Sequence, residues 1–467
     1  MGDYEAIHRI IDEKFEDITQ DLALLVRVPS VLNEAARTQE HPFGQNVSAA
    51  LETFLNLGIK YGFATSNIDN MIGYAEIGSG PLFGVLVHLD VMPEGDASRW
   101  RYPPFEAAIS DGKMYGRGTS DDKGPAISVL HALKALLDAD IPLKRRFRVI
   151  AGLDEESGSR CIERYKSTEE IPKSSFSPDA MFPVVNGEKG VLHITLQKEI
   201  HVMDAMGLPN LVSICGGDRF NVVPDEVRVF FRHASAGNLE MAFIPVDGTV
   251  ESTGNGVLVT VNGRAAHAME PWKGENAIQK FLSVVESLDF GPPELHMGMI
   301  ELNAMFKLEN DGSSLGIACS DDVSGPLSCN LAAISLDDSV LSVKCDIRYP
   351  VKVNGDFVLD GLRHSADLMG WELDILHHSN PLFVHPGSEL VTTLLDAYES
   401  VTGERPEPIS IGGGTYCKSI PNAVSFGALF PGEEETAHQV NEYVPLDSLR
   451  RMTHIYAEAF VRFNEQI

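Results

Sequence analysis

The sequence predicts an α/β protein: a domain built on a mainly parallel sheet, interrupted by an inserted α+β domain. Three observations predict it. Two short apolar runs, Leu82 to Val87 and Phe147 to Leu153, show no alternation, which suits strands buried on both faces. Between them, Ile127, Leu130, Leu133, Leu136 and Leu137 recur at helical spacing, and strand, helix, strand in that order implies parallel pairing. After about Val185 the segments shorten, several alternate, and Gly and Pro punctuate them until roughly His385.

In chain order, Ile10, Phe15, Ile18, Leu22, Leu24 and Leu25 predict an amphipathic helix near the start, and Asn46 to Leu57 a second. The first buried strand ends in His88-Leu89-Asp90. A helix over Gly124 to Asp138 follows, and the second buried strand ends in Asp154-Glu155-Glu156. Within the insert, Val257 to Val261 and Leu341 to Ile347 read as strands and Asn276 to Leu288 as a helix. The chain then returns to a helix (Glu389 to Ser400), a strand (Ala423 to Leu429) and a last helix from Leu446 to about Phe463. The division is therefore 1–187 and 385–467 as two parts of one domain, with 188–384 inserted between them.

Composition narrows the function. The chain has 467 residues, 43% hydrophobic and 22% charged, and a net charge of −30. That composition is ordinary for a globular chain. So acidic a surface repels phosphate backbones and anionic membranes, which argues against nucleic-acid and membrane partners. No stretch approaches the ~20 apolar residues of a membrane helix. The six cysteines are scattered without a C-x-x-C pair, so neither a thiol zinc cage nor a redox dithiol is indicated. With an acidic opening stretch unlike a signal peptide, the expectation is a reduced, cytoplasmic protein.

The polar residues at the strand ends carry the chemistry, because ligands of open α/β sheets collect beyond the carboxyl ends of strands. His88-Leu89-Asp90 places an imidazole and a carboxylate on one face, and a metal-bound imidazole wants a carboxylate on its other nitrogen. Gly116-Arg117-Gly118-Thr119-Ser120-Asp121-Asp122-Lys123-Gly124-Pro125 puts two carboxylates behind a tight turn and before a helix. Helix capping accounts for Asp122 but not for the doubled aspartate. Asp154-Glu155-Glu156 repel one another unless something positive sits among them. Asp179 adds an acid and His438 an imidazole. Together, one histidine, one shared aspartate, then one Asp on one side and one Glu plus one His on the other would hold two zinc ions, with a spare glutamate as general base.

These blocks resemble the M20 metallopeptidases, most closely the PepV- and carnosinase-like dipeptidases. The resemblance runs from Val87-His88-Leu89-Asp90 to the final Glu434-Glu435-Thr436-Ala437-His438. It implies a zinc-peptidase (phosphorylase/hydrolase-like) catalytic domain with an inserted lid. His88 and Asp179 would bind one zinc, Glu156 and His438 the other, and Asp121 both. Asp90 would orient His88, Glu155 would be the base, and the Asp121–Asp122 peptide would be cis. In the insert, Gly263-Arg264-Ala265-Ala266-His267-Ala268 resembles the lid motif whose histidine stabilises an oxyanion. Asn221, Arg348 and the backbone at Gly414 would hold a substrate carboxylate, for which an arginine fork is suited. The implied activity is hydrolysis of dipeptides, by a monomer. An N-acyl-amino-acid deacylase is the alternative on the same fold, and a non-catalytic metal-binding protein the remote one. Zinc, manganese and cobalt share these ligands.

Overall fold

The apolar run Leu82–His88 forms a strand buried along its whole length, and Arg146–Gly152 lies parallel beside it with His88 opposite Gly152. In this computed structural model, which describes residues 2–200, 208–337 and 339–466, the chain divides into two compact units. The first comprises 1–187, 384–410 and 414–467, the second 188–383 and 411–413.

The first unit carries a mixed sheet with a parallel centre. Its order is Ala64–Ile68, Ile72–Gly78, Arg146–Gly152, Leu82–His88, Ser175–Ser177, Ala423–Ser425 and Val185–Glu188. The central neighbours from Arg146–Gly152 to Ala423–Ser425 run parallel. Antiparallel strands flank them. The helix Lys123–Asp138 makes the crossover and is buried almost throughout, packed against Leu446–Glu465. Pro125 is tolerated because a first-turn N–H has no intrahelical partner in any case. Helix Glu389–Thr402 is capped by Ser388, whose side chain accepts the Val391 N–H, and stops at Gly403 with φ 75°.

Three elements differ from the sequence reading. The opening helix is two, Gly2–Glu13 and Phe15–Val26, because Lys14 leaves helical geometry. The helix expected over Asn276 to Leu288 ends at Leu282 and resumes as a 3₁₀ turn, Val285–Ser287. There the Ser283 and Ser287 hydroxyls bond back to the Lys280 and Val284 carbonyls, competing with helix propagation. The strand expected over Ala423 to Leu429 breaks at Gly427, whose φ is 91°.

The second unit is an eight-stranded antiparallel sheet. Its order is Gly248–Thr253, Gly256–Asn262, Glu226–Arg232, Asn210–Gly216, Ser328–Asp337, Val340–Tyr349, Gly190–Glu199 and Glu372–Ser379. Helices Pro293–Phe306 and Gly355–Met369, absent from the sequence reading, help to cover one core that includes Leu192, Val229, Phe281, Met299, Val343 and Leu362. Alternate residues of Gly256–Asn262 are buried, as a half-covered strand requires. Among the described residues no helix is long and apolar enough to cross a membrane, and none of the six cysteines is in a disulfide.

Candidate metal centre and active site

Three parallel strands of the first unit deliver acids and a histidine at their carboxyl ends. Leu82–His88 ends in His88 and leads to Asp90, Arg146–Gly152 leads to Glu155 and Glu156, and Ser175–Ser177 leads to Asp179. Asp121 arrives on the glycine turn before helix Lys123–Asp138, and His438 on the loop before strand Tyr443–Pro445. The Asp121–Asp122 peptide is cis, as the resemblance implied.

Asp121 stands at the centre. One carboxylate oxygen lies 2.9 Å from His88 Nε2 and the other 2.9 Å from His438 Nε2. His438 Nε2 is also 3.0 Å from Glu156 Oε1, and His88 Nε2 is 3.6 Å from Asp179 Oδ2. Donor atoms of His88, Glu155 and Asp179 lie within 4.8 Å of one another, as do those of His88, Asp121 and Glu156. Among the described residues no lysine or arginine forms an ion pair with these carboxylates. Imidazole nitrogens and carboxylate oxygens facing inward with no protein cation between them are a donor set that fits divalent metal.

The second ring nitrogen of His88 fixes the tautomer. Nδ1 is 2.9 Å from the Asp90 backbone carbonyl, so Nδ1–H donates there and Nε2 keeps its lone pair for the cluster. The Asp90 carboxylate stands farther from that ring, at 3.6 Å, and instead accepts the backbone N–H groups of Glu155 and Glu156 at 3.2 and 3.1 Å. Asp122 occupies the N-cap position without making a side-chain cap; its Oδ2 accepts the His88 N–H at 3.0 Å. Asp154 points away from the cluster and is clamped by Arg160 through Nε and Nη2 at 2.7 and 2.8 Å. The sequence triplet of acids therefore splits into one anchor and two cluster residues.

Glu442 was invisible to sequence reasoning. It is fully buried, receives Arg117 Nη1 at 2.7 Å, and accepts several N–H groups of the turn that carries Asp121. It lies far along the chain from that turn, and no local spacing or charge pattern signals the pairing.

The profile of peptidase family M20/M25/M40 matches residues 84–462. The chain belongs to this family. It is a metal-dependent hydrolase. Over 457 residues it is 37% identical to YtjP of Bacillus subtilis, a protein provisionally named a dipeptidase, covering 96% of this chain and 97% of that one. A Staphylococcus epidermidis protein, likewise provisionally named a dipeptidase, is 33% identical over 455 residues, covering 94% and 95%. Human carnosine dipeptidase 1 shares the fold with a TM-score of 0.60 at 16% identity, covering 99% of each chain. The dipeptidase Dug1p of Saccharomyces cerevisiae shares it with a TM-score of 0.60 at 14% identity and the same coverage.

Electrostatics in this M20 peptidase follow from crowding acids in a buried place. Burial, then the charge of Asp179, pushes Glu155 well above the usual carboxylate range, and burial raises Asp179 to about 6. Asp121 goes the other way: burial opposes its charge, but hydrogen bonds with His438 and His88 prevail and hold it low. For His438, burial is outweighed by its bonds to Asp121 and Glu156, which raise it to about 11.

In the second unit of the M20 peptidase, Asn221 and His267 sit on adjoining segments. The Ala268 N–H donates to the Asn221 carbonyl at 3.0 Å, and the Val223 N–H to Ala266 at 2.9 Å. Asn330 ties this pair to the sheet by donating to the Phe220 and Val222 carbonyls. On the strand next to that of Asn330, Arg348 has its fork bound bidentately by buried Asp346 at 2.5 and 2.7 Å, and Nη1 donates to the Gly412 carbonyl at 3.0 Å. Three of its N–H donors are thereby used. Gly414, in the first unit, is exposed and precedes Thr415, whose side chain caps the 3₁₀ turn Tyr416–Ser419.

Proposed function

We propose that this M20 peptidase is a dipeptidase of broad specificity that holds two zinc ions and cleaves the peptide bond of dipeptides with an activated water. The observation that carries this reading is Asp121, whose two oxygens face His88 and His438 at 2.9 Å each. His88 and Asp179 would hold one ion, Glu156 and His438 the other, and Asp121 both. Bound there, the metal pair supplies Lewis acidity, polarising the scissile carbonyl and lowering the pKa of water from 15.7 towards about 7. Manganese or cobalt would suit the same donors. The names of the relatives support the substrate class.

The protein's own groups move the proton. Glu155 lies in the cluster beside His88 and Asp179, and its raised affinity for protons suits a base that must hold one. It accepts a proton from the attacking water and passes it to the leaving amine nitrogen. His88 is kept in the tautomer that presents Nε2 by the Asp90 carbonyl, and Asp90 fixes the backbone under Glu155. By the resemblance, His267 would be the donor to the developing oxyanion, a contribution of roughly 3–4 kcal/mol for one donor. By the resemblance, Asn221, Arg348 and the N–H groups at Gly414 would be the groups that take the substrate carboxylate, which would limit substrate length. The enzyme acts as a cytoplasmic monomer without nucleic-acid or membrane partners.

Hydrolysis of a matched panel tests the reading: dipeptides, their tripeptide extensions and N-acetyl amino acids, with zinc- or manganese-loaded enzyme. Cleavage confined to dipeptides is the expected result. Preference for the N-acetyl compounds would assign the same centre to deacylation, and silence on all three would refute catalysis of this kind.

A further inference from the structure

We infer that Glu442 is a positioning residue that locks the Asp121 turn to the His438 loop, and so sets the affinity of the metal position formed by Asp121, Glu156 and His438. This rests on the two-metal reading above and adds to it a residue outside the ligand set.

Glu442 Oε1 accepts the N–H groups of Gly118 and Ser120 at 3.0 Å each and of Asp121 at 3.3 Å, together with the Ser120 hydroxyl at 3.0 Å. Oε2 accepts Arg117 Nη1 at 2.7 Å, and the Glu442 carbonyl accepts the Gly116 N–H at 2.9 Å. One buried residue therefore binds the turn from Gly116 to Asp121 almost residue by residue. Converging N–H donors call for a full negative charge, because charge-assisted bonds are the strong ones and orphaned buried donors are costly.

Glu442 also stands four residues beyond His438 on the same loop. That loop is closed by the Gln439 N–H donating to the Thr436 carbonyl at 3.1 Å and by Thr436 Oγ1 donating to the Tyr443 carbonyl at 3.3 Å. It continues into a strand pairing Tyr443 with Tyr115, on the segment that enters the Asp121 turn. Asp121 and His438 thus reach the centre on two irregular segments that Glu442 fastens beside the Tyr443–Tyr115 strand pairing. His88 and Asp179 come instead from the ends of strands Leu82–His88 and Ser175–Ser177, so the position they complete with Asp121 depends on Glu442 through Asp121 alone. Loosening Glu442 should therefore weaken the position that takes both Asp121 and His438 more than the position that takes only Asp121 of the two. A residue serving only to neutralise Arg117 would show no such asymmetry.

The test is zinc titration of the metal-stripped full chain by calorimetry with a competing chelator, with bound equivalents counted by elemental analysis and melting recorded alongside. Wild type should bind two equivalents. In Glu442→Gln one of the two affinities should fall about 10- to 100-fold, the range usual for partners behind metal ligands, while the other falls less. Ser120→Ala removes one hydroxyl donor without disturbing Arg117, so it decides the matter if the Glu442 variant does not fold: its melting should hold while one affinity drops severalfold and the other less. Unchanged affinities in folded Glu442→Gln, an equal loss at both positions, or Ser120→Ala titrating like wild type would overturn the inference. A wild type binding fewer than two equivalents would instead bring down the two-metal reading itself.

Discussion

Asp90 holds Glu155 by its backbone: the buried Asp90 carboxylate accepts the Glu155 N–H at 3.2 Å through one oxygen and the Glu156 N–H at 3.1 Å through the other. Both oxygens are committed, so Asp90→Asn sets an amide NH2 against one of the two N–H donors. Turnover should fall about 10- to 100-fold. Stability should fall by about 1–3 kcal/mol, the cost of an orphaned buried donor. Steady-state rates and melting measured together check this. Normal turnover in the variant would show that the loop after Gly152 is held by Asp154 and Arg160 alone.

Glu155→Gln separates proton transfer from metal binding. The amide has nearly the same shape and keeps one acceptor oxygen, but it cannot take a proton from water. Metal content and melting should match wild type, while kcat falls about 10²- to 10⁴-fold. Elemental analysis of the purified variant beside its rate checks both halves. A variant that loses metal as well would make Glu155 a ligand, a role its closeness to His88 and Asp179 allows.

The buried strands and what stands at their ends were legible because they are local. Leu82 to Val87 followed by His88, and Phe147 to Leu153 followed by three acids, announce a strand and a polar edge within ten residues. Pairings that depend on tertiary structure were not legible. Nothing near Glu442 points to Arg117, and nothing near Asp90 shows that its carboxylate would take two backbone donors rather than the His88 ring. Asp122 illustrates the limit well. The sequence correctly sets it at a helix start, yet its carboxylate bonds a distant strand instead of its own helix. The helix Pro293–Phe306 was missed for a different reason: it lies against the insert's core with apolar residues spread around it, so its periodicity is weak.

Stripping the metal should destabilise the first unit as well as abolish activity. Asp121, Glu155, Glu156 and Asp179 are drawn together, and among the described residues only His88 and His438 pair with them. Ligand bound only to the folded state stabilises it by about 2.7 kcal/mol at a free concentration of 100 Kd, for each site. Melting of stripped enzyme should rise progressively as zinc is added and return on chelation. Scanning calorimetry across a zinc series checks this, and melting indifferent to zinc would contradict a centre built from these residues.

Acid stability should depend on His454, well apart from the metal centre. Its ring stacks on His8 at 4.5 Å, inclined by 12°, where helix Gly2–Glu13 packs on Leu446–Glu465. Asp12 faces it at 3.3 Å, and Arg450 donates to the same Asp12 oxygen, while His8 faces Glu458 at 3.2 Å. Burial, then the neighbouring His8, depresses His454 from 6.5 to about 4. The folded protein therefore binds fewer protons here than the unfolded chain between those pH values. By linkage, this group's contribution is complete above about 6.5 and is lost as pH falls towards 4. Asp21, held low against burial by its bonds to His131 and Tyr61, acts at lower pH, as pH falls below about 3.8. The difference between wild type and His454→Gln isolates the term. The variant's melting temperature should decline less steeply from pH 6.5 to 4, whatever its value at pH 8, and parallel declines in the two proteins would refute the assignment.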